Sequence, residues 1–291
     1  MRVAILGLGQ IGGSVGRALV AAGDPWRVAG WTRSDDARRA AAADGIETKA
    51  SIRDACAGAD LIVLAAPPLA CLELLDALAG PLHATLEPGA VITDVASTKV
   101  AICARAAGHG LRFVGGHPMA GREATGYAAA DAGLFVGRPW IVTVPDPPEA
   151  SLDAAAEAHV VEVATACGAD VVRLGPAEHD AAVGAISHLP LVVAAALVEA
   201  IASGSDWPVA ERLAAGGWAS MTRLARGDVE MGAGILATNG LPVAARLRDL
   251  RDVLDGWLAQ LEATPADPSP IRERLASARR RLGVDDPAAA E

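Results

Sequence analysis

The chain has 291 residues, enough for one large domain or two ordinary ones, and it is 52% hydrophobic but only 3% aromatic, so its core is built from Ala, Val, Leu and Ile. A net charge of −10 argues against nucleic acid or an anionic membrane as partner, and any anionic ligand must be drawn in by a local cluster of donors. Cys56, Cys71, Cys103 and Cys167 form no CxxC pair and read as small buried hydrophobes of a reducing compartment, not as disulfides or zinc ligands.

At the N-terminus, Arg2 to Leu6 runs straight into Gly7 without a cleavage signal, and a soluble cytoplasmic protein is expected. Val3–Leu6 predicts a strand, Gly12–Ala22 a helix, Arg27–Trp31 a strand and Asp35–Ala43 a helix. Asp60–Ala65 reads as a buried strand, Leu69–Ala79 as a helix, Ala90–Asp94 as a strand, Lys99–Ala107 as a helix and Arg112–Val114 as a strand. Trp140–Val144, a helix at Leu152–Cys167 and a last strand at Asp170–Leu174 complete the alternation. This rhythm predicts an α/β fold, a Rossmann-type doubly wound parallel sheet with helices on both faces.

After Gly175-Pro176 the strands stop. Helices are predicted at His179–Ser203, Pro208–Ala215, Ser220–Ala225, Val229–Asn239, Pro242–Ala263 and Ile271–Leu282. Residues 1–175 are therefore expected to form a dinucleotide-binding domain, and residues 176–291 an all-helical substrate and dimerisation domain. The longest uncharged run, Ala181–Val198, approaches membrane-span length. His188 and Pro190 interrupt it, and a buried helix is expected instead.

Gly7-Leu8-Gly9-Gln10-Ile11-Gly12 is GxGxxG between the first strand and the first helix. Gly7 permits a tight turn, Gly9 lets backbone approach a pyrophosphate, and Gly12 allows close helix–strand packing. The helix N-terminus offers free N–H groups to phosphate. At the end of the second strand, where NAD binders carry an acid about 20 residues past the glycines, the chain has Thr32, Arg33 and Ser34. A missing carboxylate beside an arginine favours a 2′-phosphate, hence NADP over NAD. Asp35 keeps NAD possible.

Four further stretches hold the candidate chemistry. They are Asp94 to Lys99 at a strand's carboxyl edge, Gly115-Gly116-His117-Pro118-Met119-Ala120-Gly121, Ile186-Ser187-His188-Leu189-Pro190, and Gly216 to Leu224. His117 among glycines reads as an imidazole on a loop that lets backbone approach a ligand.

Together with the opening Gly7 to Ser14, these motifs resemble the prephenate/arogenate dehydrogenases of tyrosine biosynthesis, from Met1 to about Arg251. The resemblance implies oxidative decarboxylation of a cyclohexadienyl ring. Hydride leaves the hydroxyl-bearing carbon for the nicotinamide, carbon dioxide departs, and the ring becomes aromatic. It implies His117 as hydrogen-bond acceptor and base, with Ser97 bonded to the substrate hydroxyl and to the histidine. It gives Arg223 a substrate carboxylate, places His188 near the substrate side chain and Glu123 on the rim, and implies a homodimer through the helical domain. The structural alternatives are a loop brace for His117, a helix cap for Ser97, a helix-face charge for Arg223 and a core residue for His188. Lys99 reads as a surface or phosphate-side residue, and His179-Asp180 as helix-start chemistry, with no third ligand spaced for a metal.

Leu191 stands where many relatives carry a polar residue, Arg122 where a small residue is commoner, and Met231 to Gly234 replaces a Met-Trp pattern. The chain length implies a monofunctional enzyme. Arogenate is the alternative substrate, with Glu123 the candidate partner for its amine. Other two-domain hydroxyacid or imine oxidoreductases typically need a lysine in the helical domain, but the chain's lysines are Lys49 and Lys99. The His117, Ser97 and Arg223 set disfavours a cofactor-sensing module.

Overall fold

The computed structural model describes residues 1–121, 124–144, 153–263 and 267–283. It divides into two compact units, Met1–Val243 and Ala244–Glu291.

The first unit opens with β1 (Arg2–Leu6), α1 (Gln10–Ala22), β2 (Arg27–Trp31), α2 (Asp35–Ala43), the short β3 (Glu47–Thr48) and α3 (Ile52–Cys56). Then come β4 (Leu61–Leu64), α4 (Pro68–Ala79), β5 (Val91–Asp94) and α5 (Val100–Gly108). The five strands form one parallel sheet in the order β3-β2-β1-β4-β5. Val3, Ala4, Ile5, Leu61, Ile62 and Leu64 are all fully buried, as expected for strands covered on both faces. The topology puts every carboxyl end, and so Gly7, Thr32, Ala65 and Val95, along one edge.

A second sheet was not expected. β6 (Gly116–Pro118), β7 (Pro139–Thr143) and β8 (Asp170–Leu174, after α6, Ala154–Ala166) form it in that order, with β6 antiparallel to β7 and β7 parallel to β8. The expected strand at Arg112–Val114 shrinks to a single bridge between Phe113 and Ile92. His117 sits inside β6, opposite Ile141, rather than on a loop. The two glycines before it serve close packing. A Cβ on Gly116 would lie 2.6 Å from the Asp94 carbonyl oxygen, and one on Gly115 2.9 Å from Thr143 Oγ1. Gly116 N–H donates to Asp94 Oδ1 at 3.1 Å and Gly115 N–H to Thr143 Oγ1 at 2.9 Å, so β6 is clamped between β5 and β7.

The elements after β8 are helical: α7 (Pro176–Val183), α8 (Leu189–Ala202), α9 (Trp207–Leu213), α10 (Gly216–Met221), α11 (Val229–Thr238) and α12 (Gly240–Glu262). Where one helix was expected over His179–Ser203, a π turn at Gly184–His188 separates α7 from α8. Pro190 has no N–H to give its preceding turn, and the widened turn absorbs that loss. The expected helix at Ser220–Ala225 is instead the end of α10 followed by a 3₁₀ turn, Arg223–Arg226. Pro176–Ala202 is by length and composition apolar enough to cross a membrane, with mean hydropathy 2.1, and 22% of its most apolar window is buried within the chain. It is therefore not the buried core helix expected from sequence, because its own chain covers only part of its apolar surface.

The π turn does bury His188, which is 1% exposed and takes a 2.9 Å bond from Asn239 Nδ2 at its Nδ1. In the second unit, α13 (Pro268–Arg281) sets the Arg274 guanidinium 4.2 Å over the Trp257 ring and within 3.2 Å of Gln260 Oε1.

Two expectations follow from this packing. Gly116→Ala should lower stability by about 1–3 kcal/mol through overpacking against β5, read from denaturant midpoints; an unchanged midpoint would show that β6 can shift freely. Burial pushes the His188 imidazole down to about 4. Below the ordinary histidine value of ~6.5 the unfolded chain takes up a proton that the folded chain declines, so stability should be lost as pH falls from about 6.5 towards 4. Urea midpoints at pH 7 and pH 5 check this, and His188→Gln should flatten the difference.

Candidate active site

The glycine motif fits a dinucleotide on its geometry. Gly7 has φ +113° and its N–H donates to the Trp31 carbonyl at 2.8 Å; a Cβ there would lie 2.1 Å from the Ala65 carbonyl oxygen. A Cβ on Gly12 would lie 2.0 Å from the Gly7 carbonyl oxygen, so the helix lies hard against the turn. Gly9, by contrast, has nothing within 4 Å of its Cβ position. It opens onto a cleft of about 850 Å³ lined by Gly7, Gly9, Thr32, Arg33, Ser34 and Asp36. α1 has Gly9 at its N-cap, no side-chain cap and no acid in its first turn, leaving its first N–H groups to an anion.

At the β2 end of that cleft, Asp35 and Asp36 have cationic partners. Arg38 pairs with Asp35 and also donates to the Thr32 carbonyl, while Arg39 pairs with Asp36. Ser34 Oγ accepts from Ala37 N–H at 3.2 Å and caps α2. Arg33 is exposed and has no carboxylate partner among the described residues.

A second cavity of about 370 Å³ shares Gly9, Ala65 and Gly126 with the first and is lined also by Gln10, Ile11, Gly12, Ser97 and His117. A third, of about 650 Å³, has Ser97, His117, Arg138 and Ser187 on its walls. Ser97 and His117 thus stand where these two cavities meet. Ser97 does not cap α5, because the first N–H groups there are taken by Asp180: Lys99 N donates at 2.7 Å to Oδ1 and Val100 N at 2.9 Å to Oδ2. Gln10 Nε2 donates to the Ala124 carbonyl at 3.0 Å.

Behind His117 lies a chain of buried groups. His117 Nδ1 is 2.8 Å from His179 Nε2, and His179 Nδ1 is 2.8 Å from Asp180 Oδ1. His179 is fully buried and Asp180 is 1% exposed. This corrects the sequence expectation of helix-start chemistry: α7 carries both side chains to the back of the site, 62 residues from His117. Lys99 needs the same correction. It is fully buried, not on the surface, and its ammonium pairs with Asp94 and donates to the Gly116 carbonyl at 2.7 Å. A buried pair of this kind is costly to break from one side. It holds β6 against β5. No periodicity marked either group, since both matter through polar contacts to other elements.

Burial, reinforced by His179, Lys99 and His188, holds the His117 imidazole well below the ordinary histidine value, so it is neutral at pH 7. His188 lies in the same buried network, through Asn239, which also donates to the Asp180 carbonyl at 2.8 Å. Its Nε2 is buried without a hydrogen-bond partner among the described residues. Arg223 is exposed on its 3₁₀ turn and is not among the residues lining the cavities that contain His117. Glu123 and Arg122 lie outside the described residues.

The chain matches the prephenate dehydrogenase family twice, through its nucleotide-binding domain over residues 15–173 and its dimerization domain over residues 175–266. A prephenate dehydrogenase of Lactococcus lactis subsp. cremoris is 31% identical over 259 residues, which cover 87% of this chain and 69% of that protein. The structure of prephenate dehydrogenase from A. aeolicus in complex with hydroxyphenyl propionate and NAD+ superposes with a TM-score of 0.85 at 27% identity, covering 98% of both chains. Synechocystis arogenate dehydrogenase superposes with a TM-score of 0.77 at 30% identity, covering 96% of this chain and 98% of that one. A glycine cleft leading to a histidine between two cavities, on a fold matched along most of its length, makes this chain an NAD(P)-dependent dehydrogenase that belongs to the prephenate dehydrogenase family.

Proposed function

We propose that the chain is an NADP-preferring prephenate dehydrogenase, converting prephenate to 4-hydroxyphenylpyruvate in tyrosine biosynthesis. The observation that carries this is the neutral His117 imidazole beside Ser97, at the junction of the cavity that adjoins the glycine cleft and the larger cavity beyond it. A bound nicotinamide would supply the hydride acceptor. His117 accepts the proton of the ring hydroxyl, and Ser97 orients that hydroxyl by hydrogen bonding. Arg223 is assigned a substrate carboxylate, a bidentate task for guanidinium, with His188 and Glu123 at the substrate's far end. Arg138 supplies a cation on the wall of the larger cavity itself.

Support for NADP comes from Arg33 in a cleft whose nearby acids Asp35 and Asp36 are already paired. Support for a homodimer comes from the family's dimerization domain and from the thinly covered Pro176–Ala202 surface, which a second copy would bury. A cytoplasmic location fits a biosynthetic enzyme of this family. The likeness to the Synechocystis arogenate dehydrogenase favours arogenate as the second reading.

Purified protein is incubated with prephenate or arogenate and with NADP or NAD, and reduced cofactor is followed by absorbance. Turnover is expected with prephenate, and faster with NADP. A preference for arogenate selects the second reading, a preference for NAD overturns the cofactor assignment, and no turnover in folded, cofactor-binding protein rejects both substrates. His117→Asn should lower kcat by roughly 10²–10⁴-fold with cofactor affinity kept; an unchanged kcat would remove His117 from its role.

A further inference from the structure

We propose that His179, held by Asp180, is a positioning residue that locks His117 in one tautomer, with the proton on Nδ1 and the lone pair on Nε2. As a base for the reaction, this rests on the function proposed above; as a statement about the ring, it rests on geometry alone.

The direction of each hydrogen bond follows from what the groups can do. A carboxylate only accepts, and Asp180 already accepts from the Lys99 and Val100 N–H groups. His179 Nδ1, 2.8 Å from Asp180 Oδ1, must therefore be the donor. A neutral imidazole with its proton on Nδ1 has an acceptor at Nε2. That atom is 2.8 Å from His117 Nδ1, which must then donate. His117 is left with an unprotonated Nε2, the form a base requires. The opposite tautomer would put two lone pairs against each other, one of them on the fully buried His179.

The relay is fixed at both ends. Asp180 is pinned by the N-terminus of α5 and, through its carbonyl, by Asn239. His117 is pinned by its pairing in β6. The charged and titratable groups around His179 are Asp180 on α7, Lys99 at the start of α5 with its partner Asp94 at the end of β5, His117 on β6 and His188 on the π turn.

The test reads the tautomer directly. In ¹⁵N-labelled protein at pH 7, long-range ¹H–¹⁵N correlations of the His117 ring, assigned by their loss in His117→Asn, should show a protonated Nδ1 and an unprotonated Nε2. A His117 with its proton on Nε2 overturns the proposal whatever the substrate proves to be. In the active enzyme, His179→Leu removes the acceptor while keeping an apolar filler. It should lower kcat by about tenfold or more, with the cofactor dissociation constant changed less than about threefold and proton signal moving to His117 Nε2. His179→Gln, whose side-chain oxygen can still accept, should recover most of the loss. A His179→Leu variant that keeps kcat and the wild-type tautomer would assign His179 to packing alone. Should that variant fail to fold, the wild-type spectrum decides. Absence of turnover with an Nδ1–H His117 would count against the proposed reaction and leave the tautomer lock standing.

Discussion

One buried carboxylate organises the site. Asp180 accepts from two backbone N–H groups at the start of α5, holds His179, and through its own carbonyl takes a bond from Asn239 on the segment leading into α12. Each of these partners belongs to a different element. α5 comes from the nucleotide-binding part of the first unit, whereas α7 and Asn239 come from its helical part. The carboxylate therefore does for tertiary structure what an N-cap does for a single helix: it satisfies donors that would otherwise be orphaned, and fixes where the next element must lie. The Asp94–Lys99 pair makes a comparable clamp one strand away, joining β5 to β6 through both backbone groups of Gly116. Together they hold His117 from behind, in backbone and in side chain.

Much of this fold could be read from the sequence. β2 and β8 have the expected bounds, and the parallel sheet follows from continuous apolar runs punctuated by glycine. The glycine cleft was equally legible, because Gly7 and Gly12 are positions where a side chain cannot fit. The errors share a cause. Gly115-Gly116 before His117 suggested a loop, since glycine's conformational freedom and its lack of bulk leave the same trace in sequence. Only the distances to Asp94 and Thr143 show that bulk decides here. His179-Asp180 and Lys99 were read locally, as a helix start and a surface cation. Their partners are 62, 81 and 5 residues away, and a buried polar network has no periodicity to betray it.

The helical part shows the reverse situation. Hydrophobicity at Ala181–Val198 was plain, but sequence could not say which surface would cover it. Neither the π turn ahead of Pro190 nor the sparse cover along Pro176–Ala202 is a property of residues taken singly. Exposed Leu254, Leu258 and Leu261 in the second unit, spaced four and three apart along α12, pose the same question on a smaller scale.

Asp180 also bears on how a strongly acidic chain admits an anion. Among the helices that begin beside the carboxyl edge of the sheet, α1 and α5 both have starts that would ordinarily invite negative charge. At α5 the invitation is already answered by the protein's own carboxylate. At α1 no side chain answers it, and Gly9 leaves the approach clear. The chain thus distinguishes two similar electrostatic addresses by occupying one of them. Between these two starts a phosphate is directed to α1, selected by internal competition as much as by attraction.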